Sequence, residues 1–84
     1  GEIMNNKNYI SEDEFRRKVG MIIKQMLTDK GMTQKELSLI TGISIVSINR
    51  YIKGKATMST YNANKIANAF GCRLRDLSPR TIEY

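Results

Sequence analysis

Thr33-Gln34-Lys35-Glu36-Leu37-Ser38-Leu39-Ile40-Thr41-Gly42-Ile43-Ser44-Ile45-Val46-Ser47-Ile48-Asn49-Arg50-Tyr51-Ile52-Lys53-Gly54 is the stretch on which the reading of this chain turns. Thr33 can cap a helix N-terminus, and Glu36 completes a capping box in which hydroxyl and carboxylate each satisfy an unpaired backbone N–H. Gly42 supplies the positive φ that ends this helix, Ser44 can cap the next, and Gly54 can end it. The three residues around Gly42 are too few to let the two helices run antiparallel, so they must cross steeply. Ser38 is small where the crossing is closest, Ile43 plugs the corner, and Ile48 and Tyr51 anchor the second helix. Left outward on that helix are Ile45, Val46, Asn49, Arg50 and Lys53, spaced by three and four so that they share a face. A DNA major groove can receive a face of this kind.

The same punctuation recurs outside this stretch. Ser11 and Gly31 bracket an earlier segment, Ser59 and Gly71 a later one, and Ser11-x-x-Glu14 is a second candidate capping box. Phe15, Val19, Ile22, Ile23, Met26 and Leu27 form one amphipathic stripe, and Ala63, Ile66, Ala67 and Phe70 another. Gly20, inside the first stripe's helix, costs about 1 kcal/mol relative to Ala and reads as a place where a neighbouring helix comes close. A further short helix is expected from Arg73 to Leu77, stopped by Pro79. The expectation is an all-α fold of five short helices around one core. Residues 1–10 read as a flexible arm or a cloning remnant, 11–78 as the folded domain and 79–84 as a tail.

Composition narrows what such a domain can do. At 84 residues there is room for one small domain. Fourteen Lys and Arg against eight Asp and Glu give a net charge of +6, which favours polyanions as partners, nucleic acid before a membrane surface. With no His, no Trp and a single Cys, disulfide scaffolds, zinc fingers and His-based acid–base catalysis are excluded; no metal or cofactor is expected, and Cys72 reads as a reduced core thiol. Gly54-Lys55-Ala56 lacks the spacing and following hydroxyl of a phosphate loop, so neither an enzyme nor a small-molecule substrate is expected. No apolar run is long enough to span a membrane and no secretory signal is visible, so the expected location is the cytoplasm.

Four pieces then fall in a fixed order and spacing: Lys30-Gly31-Met32-Thr33-Gln34-x-x-Leu37-Ser38; Thr41-Gly42-Ile43-Ser44; Ile48-x-Arg50-Tyr51-x-Lys53-Gly54-Lys55; and Lys65-Ile66-Ala67-x-Ala69-Phe70-Gly71. Over residues 15–77 the chain resembles the lambda-repressor and Cro-like helix-turn-helix family, also called the Xre family. The resemblance implies a five-helix lambda-repressor-like bundle whose second and third helices form the helix-turn-helix, with the third inserted in the major groove of an inverted-repeat operator bound by a dimer. It implies that Gln34 binds a phosphate and braces the recognition helix, and that Ser44, Ile45, Val46, Asn49 and Arg50 face base edges. Asn suits adenine and Arg guanine, because each offers two hydrogen-bonding groups at the right separation. Lys53, Lys55 and the helix start near Ser59 are implied to hold phosphates. Leu74, Leu77, Ile82 and Tyr84 are either a dimer seam or a tail folded back on its own core.

The chain departs from the family pattern in several places. Ile45 and Val46 are apolar where relatives often carry polar residues; they either read thymine methyls in an A/T-leaning site or bind protein. Leu39 and Ile40 stand at usually charged positions, as a partner contact or as extra packing on the first helix. Met58 and Thr60 depart from the usual residues at the start of the fourth helix. Leu27 and Ile52 replace a buried Arg–Glu pair with an aliphatic one and are expected to touch. Arg16, Arg17 and Lys18 are read as balancing Glu12, Asp13 and Glu14.

Two functions follow from these residues. The first is a sequence-specific, dimeric transcriptional regulator on double-stranded DNA, a repressor from a bacterium, phage or other mobile element. With no room for a sensor domain, such a regulator, if complete, is controlled through abundance, dimerisation or a protein partner. The alternative is a protein-interaction module of antitoxin or anti-repressor type, supported by Ile45, Val46, Leu39 and Ile40.

Overall fold

Each α-helix begins at a hydroxyl. Ser11, Thr33, Ser44 and Ser59 are the N-caps of α1 (Glu12–Lys30), α2 (Gln34–Thr41), α3 (Ile45–Ile52) and α4 (Thr60–Phe70), each Oγ accepting from the backbone N–H three residues on. The computed structural model describes residues 9–79. The capping box at Thr33 is complete: Glu36 N–H donates to Thr33 Oγ1 at 3.0 Å and Thr33 N–H to Glu36 Oε1 at 2.8 Å. At Ser11 only the hydroxyl half forms, because the Glu14 carboxylate lies instead 3.5 Å from Lys18 Nζ. Arg16 pairs with Asp13, so part of the charge balance expected on α1 is present, at exposed positions where such pairs contribute little.

The expected fifth helix is corrected to a 3₁₀ turn, Leu74–Leu77, leaving four α-helices among the described residues. Its bonds close over three residues, Asp76 N–H to Arg73 O and Ser78 N–H to Arg75 O. Asp76 also accepts from the Arg73 N–H at 2.9 Å. Pro79 lacks an N–H and disfavours helical backbone at Ser78, which is extended at φ −96° and ψ 127°, so the turn has no route to grow.

One fully buried aliphatic residue comes from every element: Ile23, Leu37, Ile48, Ile66 and Leu77. Each contributes about 1.5–3 kcal/mol by burial. Leu77, only 2% exposed, is therefore a core residue and is removed from the expected dimer seam, while Leu74 stays on the surface. Two residues three apart on so short a turn face opposite environments that their spacing does not distinguish. Ile82 and Tyr84 lie outside the described residues.

The second helix-packing feature is at Gly20. A Cβ there would stand 2.2 Å from the Ile52 carbonyl oxygen and 2.6 Å from that of Tyr51, so the last turn of α3 rests directly on the backbone of α1. Leu27 is buried and Ile52 packs against the same core cluster. Leu27 is two turns, about 10 Å, along α1 from the point where the Ile52 backbone sits. Packing of Leu39 and Ile40 on α1 is not what the fold does: they are 75% and 59% exposed. Leu37 and Thr41 are the residues that α2 buries, and Leu39 and Ile40 between them face outward.

Candidate nucleic-acid interface

The corner between α2 and α3 is held by hydroxyls. Thr41 Oγ1 donates to Leu37 O at 2.7 Å and accepts from the Ile43 N–H at 3.2 Å, buried on both counts. Ser38 Oγ donates to Ile43 O at 2.6 Å, so the small residue at the crossing also fixes the residue that plugs it. Gly42 makes the turn at φ 77°, in the left-handed region that costs other residues energy. Ile43, Ile48 and Tyr51 are buried, which sets the rotation of α3 about its own axis. At the far end Tyr51 Oη accepts from Asn62 Nδ2 at 3.0 Å and ties α3 to α4. The role of Thr41 and the Tyr51–Asn62 tether were not read from the sequence; a Thr four residues after a buried Leu was the available signal for the first, and none existed for the second.

This anchoring leaves Ile45, Val46, Arg50 and Lys53 on the surface, with Val46 65% exposed and Ile45 46%. Asn49 is half-buried, and its Nδ2 donates to Gln34 Oε1 at 3.3 Å. That bond joins the first residue of α2 to the exposed side of α3 and orients the Asn49 amide, with Oδ1 and the second N–H of Nδ2 left for another partner. Ser44 is exposed, but its hydroxyl accepts from Ser47 N–H at 3.1 Å and donates to Ser47 Oγ at 3.0 Å, so it is occupied in starting the helix.

Lys53 caps α3, and Lys55, exposed one residue beyond Gly54, donates its backbone N–H to Arg50 O at 2.8 Å. Ser59 Oγ accepts from Asn62 N–H at 3.0 Å, which leaves the hydroxyl proton and the first N–H groups of α4 available to an anion. Gln34, Ser44, Ile45, Val46, Asn49 and Arg50 thus lie on or against α3, with Lys53, Lys55 and Ser59 on the chain leaving it. Cys72 is half-buried with its Sγ 3.9 Å from Met26 Sδ. Burial, then the negative Asp76, pushes its thiol above the ordinary range, which keeps it protonated and poorly nucleophilic. Among the described residues no helix is long and apolar enough to cross a membrane.

The fold is similar to those of solved regulators. The restriction-modification controller protein C.AhdI from Aeromonas hydrophila is 26% identical, with a TM-score of 0.72 over 74% of this chain and 94% of its own. An HTH_3 family transcriptional regulator from Vibrio cholerae superposes with a TM-score of 0.75 at 15% identity, over 80% of this chain and 38% of that one. The clp gene regulator ClgR from Corynebacterium glutamicum gives 0.70 at 22% identity, over 74% and 66% of the two chains. No curated protein matches the chain. The model of the Cro/C1-type HTH DNA-binding domain matches residues 23–79, which take in α2, the turn, α3, the lysine-bearing loop and α4. On that match, and with the corner geometry just described, this chain belongs to the Cro/C1-type helix-turn-helix DNA-binding domain family.

Proposed function

We propose that this chain is a sequence-specific transcriptional regulator of a bacterial or phage system, a repressor that binds an inverted-repeat operator in double-stranded DNA as a homodimer in the cytoplasm. The observation that carries this reading is the face of α3: apolar Ile45 and Val46, the Asn49 amide oriented by Gln34, and the exposed cation of Arg50, on a helix whose opposite side is locked into the core. With α3 in the major groove, Asn49 reads adenine, Arg50 reads guanine, and Ile45 and Val46 pack on thymine methyls. Lys53, Lys55, Ser59 and the free Nε2 of Gln34 hold backbone phosphates and set the register without selecting sequence. Ser44 contributes to this face chiefly by starting α3. Leu74, exposed on the 3₁₀ turn, and the tail residues Ile82 and Tyr84 supply the dimer seam. The regulatory control named for C.AhdI is the kind of role this reading assigns.

The deciding experiment is selection of duplexes from a random pool at near-physiological salt, followed by sequencing. An enriched A/T-leaning inverted repeat with half-sites about one helical turn apart is the expected result. A second reading, a protein-interaction module of antitoxin or anti-repressor type, is favoured by one observation: Leu39, Ile40, Ile45 and Val46 all present apolar side chains to solvent. No enrichment by folded protein decides for it.

A further inference from the structure

The first turns of α1 lie against the loop that carries the phosphate-binding lysines. A Cβ at Gly54 would meet the Cγ of Arg17 at 2.9 Å and its Cα at 3.0 Å, so the aliphatic stem of Arg17 runs over Gly54, between Lys53 and Lys55 in the chain. Phe15, Arg16 and Val19 also line a groove of about 230 Å³ together with Ala56, Thr57, Met58 and Thr60, so the start of α1 and the chain leaving α3 border one another beyond Gly54 as well. Gly54 holds φ 71°, and any side chain there would displace Arg17. Arg16 is committed to Asp13 and Lys18 to Glu14, whereas Arg17 is exposed and forms no ion pair with a described residue.

We infer that Arg17 is a further DNA-backbone contact, holding a phosphate next to those held by Lys53 and Lys55 and extending the interface beyond the helix-turn-helix onto α1. Arg17 packs its backbone and stem on the residue between Lys53 and Lys55, and all three cations are exposed, so one small region of the fold bears three positive charges. A guanidinium braced along its stem loses less freedom on gripping a phosphate than a lysine on an open surface, and it can donate two parallel bonds. The inference rests on the DNA-binding reading above and adds one phosphate to each half-site's footprint.

The test compares wild type, Arg17→Ala and Arg17→Lys on the selected duplex, with single neutral methylphosphonates placed in turn along each strand of a half-site. Arg17→Ala is expected to lower affinity equally for all sequences and to flatten the salt dependence by ~0.9 log unit per tenfold salt, so that about 3.5-fold less affinity is lost between roughly 50 and 200 mM. One methylphosphonate should weaken wild type and Arg17→Lys but not Arg17→Ala. If wild type binds with a steep salt slope and Arg17→Ala keeps that slope and the full methylphosphonate profile, the Arg17 contact is overturned while groove reading by α3 stands. Absence of duplex binding by folded wild type overturns both.

Discussion

Replacing Gly20 by Ala puts one methyl group between α1 and the last turn of α3. The added carbon would stand 2.2 Å from the Ile52 oxygen, and restoring even 3.0 Å requires the two backbones to part by about 0.8 Å. Both atoms it meets first are main-chain carbonyl oxygens, so no side chain can rotate away to relieve the contact. Forcing a methyl against main-chain atoms that cannot move aside falls in the upper part of the usual overpacking cost, about 2–3 kcal/mol. The helix-propensity gain of Ala over Gly offsets ~1 kcal/mol of that. The net is a destabilisation of about 1–2 kcal/mol, or a Tm lower by roughly 5–15 °C for a domain of this size. Thermal and urea unfolding followed by far-UV circular dichroism measure it, and Gly20→Ser, which lacks most of the propensity gain, should be worse. Because α3 carries the proposed base-reading face, a displacement of this size should also weaken binding to the selected operator more than binding to random duplex, since hydrogen bonds to base edges weaken steeply when distance and angle are lost. An Ala variant as stable as wild type or more so would refute the close approach of α3 at this position.

Three further outcomes are expected. Arg50→Ala should cost about 1–3 kcal/mol of operator affinity and relax preference at one base pair, whereas Lys55→Ala should weaken all duplexes alike and reduce the salt slope by ~1; competition binding against single-base operator variants separates the two, and uniform loss at Arg50 contradicts base reading. Thr41→Val keeps the shape but strands the buried Ile43 N–H, so unfolding free energy should fall by about 1–3 kcal/mol, and an unchanged urea midpoint would show that the hydroxyl is dispensable to the turn. The thiol of Cys72 titrates higher in the folded chain than the ordinary 9.0, so the folded state favours the protonated form. The linked stability is complete below the unfolded thiol value and is lost as pH rises above it. Wild type should therefore lose more stability than Cys72→Ala above pH 9.0, and parallel pH curves would contradict the shift.

What the sequence disclosed was local. Ser11, Thr33, Ser44 and Ser59 act within three residues of themselves, and Gly31, Gly42 and Gly71 within one turn, so their identities alone mark the ends of the helices. Ile48 and Tyr51 were legible as anchors because their spacing repeats with the helix, and that in turn exposes the face of α3. What stayed hidden depends on distant approach. Arg17 and Gly54 are far apart in the chain, and nothing in either neighbourhood announces the other. The inward turn of Leu77, against the surface position of Leu74, depends on how the 3₁₀ turn docks. The Glu14 carboxylate had two candidate donors, the Ser11 backbone N–H three residues before it and Lys18 four residues after it, and only the folded chain decides between them.

The bond between Gln34 and Asn49 has a consequence for anyone seeking to retarget this domain. Among the described residues Ile45, Val46 and Arg50 have no such tie, so each can be randomised independently in a library and scored one position at a time. Positions 34 and 49 are a single heritable unit: a new side chain at 49 leaves the Gln34 oxygen without its donor and the new group without its brace, so compatible pairs have to be drawn together. A codon-by-codon search for altered operator preference would discard members of such pairs as inactive singles, and only joint diversification of both positions would recover them.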